Sequence, residues 1–401
     1  MAGNPIVYIY ATGSLSGNSS VQQKIINQIT VARKLGVDME GWFFTTEQGE
    51  LPRVDGYRWF RVPVVNSGYF RSVRQATWTN RKIYETLKQV LPPDARVYMR
   101  FWAPGRSMFQ LALFLGGRLT FNHVTIEGKE IAMYRPYPGS LISRLFGLAE
   151  FSWWPQLANQ TWGRLLRRQV GRAVVNSEEI GNYQLAMAMG RYSCAIIADG
   201  VDAAAFPLHV APPLDDEIRM VFLKGAAFDA GYNGLDRLMK GMAAGGSRRR
   251  MKLTVIGAGL EYEKGLAEAC GTNNFTEFKD RMNKTELDAE LNRYHLGVGA
   301  LAVHRKGLTS TSSIKNREYF ARGIPFFFAH HDPDIHGNPE TLNYCLVAEG
   351  NETSISMAVL EQFIESMYAL PDRARAMHAL AAKHMDYKIK VQQIAAVVQQ
   401  S

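Results

Sequence analysis

The chain has 401 residues, 46% of them hydrophobic and 21% charged, with a formal net charge of +9. That length supplies two cores of ordinary domain size, and that composition excludes a disordered chain. No apolar run reaches the ~18–20 residues a bilayer span needs, and Met1-Ala2-Gly3-Asn4-Pro5 lacks the basic-then-apolar pattern of a cleavable signal. Cys194, Cys270 and Cys345 form no metal-binding pair and suit a reducing compartment, so a cytoplasmic location is expected. The positive charge suits nucleic acid, an anionic membrane surface or phosphorylated ligands. An aromatic RNA-binding signature and a zinc finger are both missing, which reads against nucleic acid.

Short apolar runs alternate with helical patterns from the start, the signature of βαβ units and a parallel sheet. Ile6–Tyr10 predicts the first strand; a Gly- and Ser-bearing loop follows, then a helix over 21–35 with Ile25, Ile29 and Ala32 at helical spacing. Further strands are expected at 41–45, 57–62, 96–100, 119–122, 172–176 and 194–197. The polar, proline-bearing stretch Ala211-Pro212-Pro213-Leu214-Asp215-Asp216 precedes a second series. Its strands are expected at 219–223, 253–256, 275–278, 296–301 and 325–329, and its helices at 235–242, 261–269, 285–293 and 315–322. Asn283 with Glu286 predicts a capping box. From about 353 the chain reads as helix, broken near Pro371.

Three signals have bland readings beside sharper ones. Gly257-Ala258-Gly259 after a strand suggests a dinucleotide turn, but Tyr262 replaces the third glycine, so a tight strand-to-helix turn is preferred. His330, His331, Asp332, Asp334 and His336 share no zinc spacing, and a polar surface loop without metal is expected. Between Arg135 and Arg172, aromatic residues including Trp153, Trp154 and Trp162 interleave with Arg144, Arg164, Arg167 and Arg168. This mixture fits either a membrane interface or a stripe packed on the core.

The second half carries the most specific phrase, Ser310 to Pro325, reading STSSIKNREYFARGIP. Lys315, Glu318, Tyr319, Ala321, Gly323 and Pro325 match K-x-x-E-Y-x-A-x-G-x-P, which resembles the C-terminal domain of GT-B glycosyltransferases, in particular glycosyltransferase family 4. Gly13 and Gly17-Asn18-Ser19 resemble that family's glycine-bearing loop after the first strand. Val174-Val175-Asn176-Ser177 and the passage from Ala198-Asp199-Gly200-Val201-Asp202 to Phe206-Pro207 resemble its closing passage of the first domain, with Asp199 where Asn is preferred. The resemblance spans nearly the whole chain in order. It implies an α/β GT-B fold: two Rossmann-like domains facing a cleft, at 1–205 on the acceptor side and 206–373 on the nucleotide-sugar side. A C-terminal helix, 374–401, returns to the first domain.

The chemistry agrees. A diphosphate needs backbone N–H groups at a helix start, and Thr309, Ser310, Thr311, Ser312 and Ser313 supply such a turn before Lys315, whose charge compensates it. A carboxylate at Glu318 accepts from ribose hydroxyls, as acidic residues do in other Rossmann nucleotide sites. Gly17, Asn18 and Gly225 are further candidate contacts, and His123 resembles the histidine many members place near the reacting sugar, with a core histidine as the alternative. Two departures stand out: Ser310 replaces a Glu, and Asn233 replaces a Lys on the loop after the first strand of the second domain. Lys224, Arg305, Lys306 and Lys315 are candidates to supply the missing charge. The expectation is a transferase that moves a sugar from a nucleotide-diphosphate donor to a glycan or lipid-linked acceptor, with retention, no cofactor and no metal, and with peripheral membrane contact through 135–172. The alternatives are a non-catalytic GT-B binding subunit and an NAD-dependent oxidoreductase.

Overall fold

The computed structural model describes residues 3–12, 20–66, 70–126, 149, 153–225 and 231–400. The chain divides into two compact units, Met1–Ile197 with Lys390–Ser401, and Ala198–Ile389.

In the first unit, strands β1 (Ile6–Thr12), β2 (Met39–Thr45), β3 (Tyr57–Arg61), β4 (Arg96–Arg100), β5 (Leu119–His123), β6 (Arg172–Val175) and β7 (Ser193–Ile196) lie in the order 3-2-1-4-5-6-7. All neighbours pair in parallel. Parallel sheets covered by helices bury both faces, which is why β2 and β5 are buried at nearly every position rather than at alternate ones. One face of the sheet packs Ile6, Tyr8, Phe43 and Tyr98 against Ile25 and Ile29 of the Ser20–Lys34 helix. Val391, Ile394 and Val398 complete that core. Lys390–Ser401 therefore belongs to the first unit, while 374–389 of the expected returning helix belongs to the second.

It is not one helix over 374–401. Arg373–Leu380 runs into a π-helical turn, Ala381–Met385, and Asp386 is extended (ψ 141°) before Tyr387–Gln399. The break is held by strand-like bonds: Val201 N–H donates to Met385 O (2.8 Å) and Tyr387 N–H to Val201 O (2.9 Å). The Asp386 carboxylate also accepts from Lys388 N (2.8 Å), starting the last helix afresh.

In the second unit, β8 (Glu217–Leu223), β9 (Arg250–Ile256), β10 (Thr276–Lys279), β11 (Leu296–Val298), β12 (Phe326–Phe328) and β13 (Cys345–Val347) form an all-parallel sheet. Their order, β10-β9-β8-β11-β12-β13, is the 3-2-1-4-5-6 arrangement of a doubly wound dinucleotide fold. Met220 and Phe222 face one core with Leu238 and Leu360, while Val221 faces the other with Tyr319 and Phe320. The sequence reading ends the sheet at 325–329; β13 adds one more strand, too short for periodicity to reveal. The expected capping box is present, with Asn283 Oδ1 accepting from Glu286 N and Glu286 Oε2 from Asn283 N. The unit begins at Ala198 rather than at 206, because Val201 and Ala203 are core residues beside Phe320 and Met385.

Between β7 and β8, His209 is 7% exposed and its backbone N–H donates to Arg322 O (2.7 Å). Burial, reinforced by the charge of Arg373, pushes its pKa down to about 4. A histidine held neutral in the fold and free to charge when unfolded contributes stability that is complete above pH 6.5 and is lost as pH falls toward 4. Between these limits wild type should lose up to about 1.4 kcal/mol per pH unit more than His209→Phe. Urea midpoints at pH 7.5, 5.5 and 4.5 measure this, and parallel losses in the two proteins would contradict it.

Candidate functional site

The strand order of the second sheet reverses between β8 and β11, and ligands of doubly wound sheets bind outside the carboxyl ends at such a point. The segments that leave those ends are 224–234 after β8, 299–313 after β11, and the helix Ile314–Arg322. Gly257, just after β9, lies so close to Lys224 that a Cβ there would meet Lys224 O at 2.7 Å. Packing thus accounts for one of the glycines of the partial dinucleotide fingerprint, and Gly259, at φ +63°, accounts for the turn.

The helix start is open. Ser313 caps it in an extended conformation, and its side chain makes no capping bond, so the first-turn N–H groups keep their donor capacity and the positive end of the dipole. Ser312, instead, accepts from Asp199 N (2.6 Å). Arg317, fully buried one turn in, donates to Ser313 O, Asp199 O, both oxygens of Asp332 (2.6 and 2.8 Å) and Asp334 Oδ2 (3.0 Å). This corrects the surface-loop expectation for 330–336: His330, Asp332 and Asp334 are buried because Arg317 needs the carboxylates beneath the turn. Among the described residues no group of metal-holding side chains forms. Ser310 is buried with its Oγ 3.3 Å from His331 Nδ1, Thr311 N donates to His331 O, and Thr309 is exposed.

The candidate cations separate into two kinds. Lys224 and Glu263 form a buried ion pair at 2.7 Å, and the ammonium also meets Gly259 O, so Lys224 is spent on packing. Arg305 takes both oxygens of Asp236 at 2.8 Å, together with Glu352 and Gly231 O. Neither is available to a diphosphate, contrary to expectation. Lys315 differs: its Nζ lies 3.8 Å over the Phe222 ring and 3.3 Å from Asn233 Oδ1. Lys306 Nζ lies 3.5 Å over the Tyr232 ring. Burial first, then the like charge of Lys306, bring the Lys315 pKa down to about 7 against the pull of Glu318 and Glu263. Such a lysine gains most from an incoming anion.

Glu318 sits one turn further on, its side chain 28% exposed and 3.5 Å from Arg322 Nη1. Arg322 is closer to Asp288 (2.8 Å), so the Glu318 carboxylate is only loosely paired. Burial raises its pKa above the usual range, despite Arg322. Gly225 is exposed at the end of β8.

In the first unit, Gly13, Gly17 and Asn18 lie outside the described residues. His123 has no exposed surface; its Nε2 is 3.1 Å from Tyr192 OH and its ring lies against Phe101 and Phe121. These surroundings are those of a core histidine, and they take His123 away from a catalytic role. The residues sequence reasoning missed are Arg317 and Tyr232; a charge inside an otherwise apolar helical stripe was the available signal for the first, and nothing local marked the second.

No family model matches the chain, and no curated protein matches it by sequence. Solved structures do match over the full length. Sucrose-phosphate synthase from Thermosynechococcus elongatus is 13% identical with a TM-score of 0.68, covering 99% of this chain and 98% of its own. WaaG, a glycosyltransferase involved in lipopolysaccharide biosynthesis, is 14% identical with a TM-score of 0.56, covering 99% and 100%. Anabaena HepE in complex with UDP is 12% identical with a TM-score of 0.59, also covering 99% and 100%. With two doubly wound parallel sheets, a C-terminal helix returned to the first, and these neighbours along its whole length, the chain has the GT-B glycosyltransferase fold.

Proposed function

We propose that the chain is a glycosyltransferase whose second unit binds a nucleotide-diphosphate sugar and whose first unit serves a glycan or lipid-linked acceptor. The observation that carries this reading is the pairing of Lys315 and Lys306 with an uncapped helix start at the switch point of the second sheet. Two cations and a helix dipole would stabilise the charge that develops on a departing diphosphate, usually the largest contribution to such catalysis. In this reading they do so without a metal ion, and Glu318 accepts from the ribose. The HepE structures, solved with UDP and with UDP-glucose, support a donor of this class. Retention of configuration and a part in assembling cell-surface polysaccharide or glycolipid complete the proposal. Ser310, turned to His331, favours a second reading as a nucleotide-binding subunit without turnover; slow hydrolysis of the donor separates the two.

Peripheral contact with an anionic bilayer belongs to the same proposal. The helices Arg71–Val90, Arg106–Leu115 and Arg164–Val170 pack side by side, with Tyr84 on Phe114 and Phe109 on Trp162. They and the adjoining turn expose Trp78, Leu113, Phe114, Trp153, Trp154, Leu157 and Leu165. Arg71, Arg74, Arg106, Arg164 and Arg168 are exposed on the same helices, and Glu85 is the one acidic residue in these three. Rings at headgroup level beside exposed cations suit anionic lipid. Arg167 takes no part: it is buried, bonded to Gln184 and to Asn159 (3.0 Å). Residues 135–148 and 150–152 of the expected segment lie outside the described residues.

Three measurements test the proposal. Lys315→Ala should weaken binding of the nucleoside diphosphate chosen by calorimetry from UDP, GDP and ADP, while leaving the nucleoside's weak affinity nearly unchanged. Glu318→Gln, which keeps shape but replaces a charged acceptor, should cost about 1.5–3 kcal/mol of binding and abolish preference over the 2′,3′-dideoxy analogue. An undiminished ribose preference in that variant would remove Glu318 from the site. In flotation with phosphatidylglycerol-containing vesicles, wild type should rise with the lipid and Arg164→Glu/Arg168→Glu should not. Equal recovery on neutral vesicles would refute electrostatic docking.

A further inference from the structure

The first sheet has a topological switch of its own, between β1 and β4, and the carboxyl ends of the strands at such a point are where an open parallel sheet receives a ligand. Side chains alternate along a strand, so Ile6, Tyr8 and Tyr10 of β1 share one face, as do Tyr98 and Arg100 of β4. Low on that face the side chains belong to the core: Ile6, Tyr8 and Tyr98 are buried together, with the Tyr8 and Tyr98 rings 4.6 Å apart. The last rung differs. There the Arg100 guanidinium lies over the Tyr10 ring, 6.0 Å from its centroid, and Asn122 of β5 stands in register with Arg100.

Arg100 is half-buried, and among the described residues it makes no hydrogen bond and no ion pair. Comparable arginines of the first unit are engaged: Arg118 donates to Pro93 O (2.7 Å), Arg172 to Val397 O (3.0 Å), and Arg167 to Gln184 and Asn159. The polar groups nearest the rung are matched to one another, since Asn122 Nδ2 donates to Tyr8 OH (3.2 Å) across β4. Nor does the local sequence offer a counter-ion: from Arg96 to Ile126 the chain holds no acidic residue. Withdrawing a guanidinium from water without a partner is unfavourable, and a ring at the outer reach of a cation–π contact offsets little of that cost. The N–H donors of Arg100 thus remain at the carboxyl edge of the sheet, in the planar fork that matches a phosphate. The helix after β4, Arg106–Leu115, starts at Gly105 with no side-chain cap and no acidic residue in its first turn, so its positive end adds to the same field.

We propose that Arg100, seated on Tyr10, is an anion subsite of the first unit, and that the acceptor carries a phosphate group bound there. The proposal rests on the reading of the first unit as the acceptor side and adds to it the chemical class of the acceptor: phosphorylated, not a neutral glycan. The phosphate takes no part in the transfer. It is a handle by which the acceptor is selected and oriented, held by a charge-assisted fork whose direction the Tyr10 ring helps to set.

The experiment is calorimetric titration of the full chain with glucose, glucose-6-phosphate, glucuronate and dodecyl phosphate, and separately with UDP. The proteins are wild type, Arg100→Gln, Arg100→Lys, Tyr10→Leu, Arg118→Gln and Lys315→Ala. Wild type should bind a phosphate-bearing probe about tenfold or more tightly than glucose. A stronger response to glucose-6-phosphate assigns the phosphate to a sugar, and a stronger response to dodecyl phosphate assigns it to a lipid. Arg100→Gln should remove the preference for phosphate, Arg100→Lys should keep part of it, and Tyr10→Leu should weaken it severalfold. Arg118→Gln, which removes an equal charge elsewhere in the unit, and Lys315→Ala should both leave it intact.

A preference that survives in Arg100→Gln, that falls equally in Arg118→Gln, or that is lost in Lys315→Ala would overturn the proposal, as would a wild type with no preference for phosphate. Tighter binding of glucuronate than of either phosphate would overturn the choice of phosphate. The donor-site reading fails separately: a wild type that binds no UDP, yet prefers phosphate through Arg100, would remove that reading and leave this subsite standing. Arg100→Gln should leave UDP affinity unchanged, and that constancy, with unchanged circular dichroism, separates a lost contact from misfolding.

Discussion

Arg317 is the residue on which the second unit's site depends. Its guanidinium has no contact with solvent, and taking such a charge out of water costs several kcal/mol unless every donor is matched. It is matched by two carboxylates and two backbone carbonyls, from three separate places in the chain: Asp332 and Asp334, Ser313, and Asp199. The segment just after β7, the start of the Ile314–Arg322 helix and the loop after β12 are thereby fixed against one another. Removing one partner of a buried pair typically costs about 3–5 kcal/mol, because the other charge is then stranded. The helix N-terminus can stay uncapped because Arg317 anchors it from below.

The same accounting explains how a unit rich in basic residues keeps only a few of them for a ligand. Arg237 is buried against the carbonyls of Leu301, Thr353 and Glu349, Lys224 against Glu263, and Arg322 against Asp288 and the Phe206 ring. These cations stabilise loops and helix ends. Lys315 instead sits on an aromatic face, which attracts a cation but leaves its charge to act on an anion. The distinction lies in the partner of each ammonium and not in its position along the chain, so net charge carries little information about the site.

The first unit sorts its residues in a comparable way. Within one short helix Arg167 faces inward to Gln184, Asn159 and the Phe101 ring, whereas Arg164 and Arg168 face outward beside Leu165. A π-helical turn at Asn159–Gly163 precedes this helix and brings Asn159 within reach of Arg167. Arg164 and Arg168 remain exposed, as do Trp153 and Trp154.

Much of the architecture was legible in the sequence because a parallel sheet writes itself as apolar runs and its helices as a 3.6-residue stripe. The strands over 6–10, 96–100 and 253–256, the capping box at Asn283 and the helix through Lys315 and Glu318 were all visible in this way. The three-residue strand Cys345–Val347 was not, since a run that short has no period, and the break at Asp386 was not, since it is made by bonds to Val201, far away in sequence. The basic and acidic residues of the site were equally visible as residue types. Which of them are held by a carboxylate was decided by tertiary structure alone: Lys224 and Arg305 looked as suitable as Lys315 until Glu263, Asp236 and Glu352 were brought to them across 39, 69 and 47 positions of chain. Sequence determines which groups carry charge and which segments are helix or strand; folding determines which charges neutralise one another, because only through-space distance sets their energy.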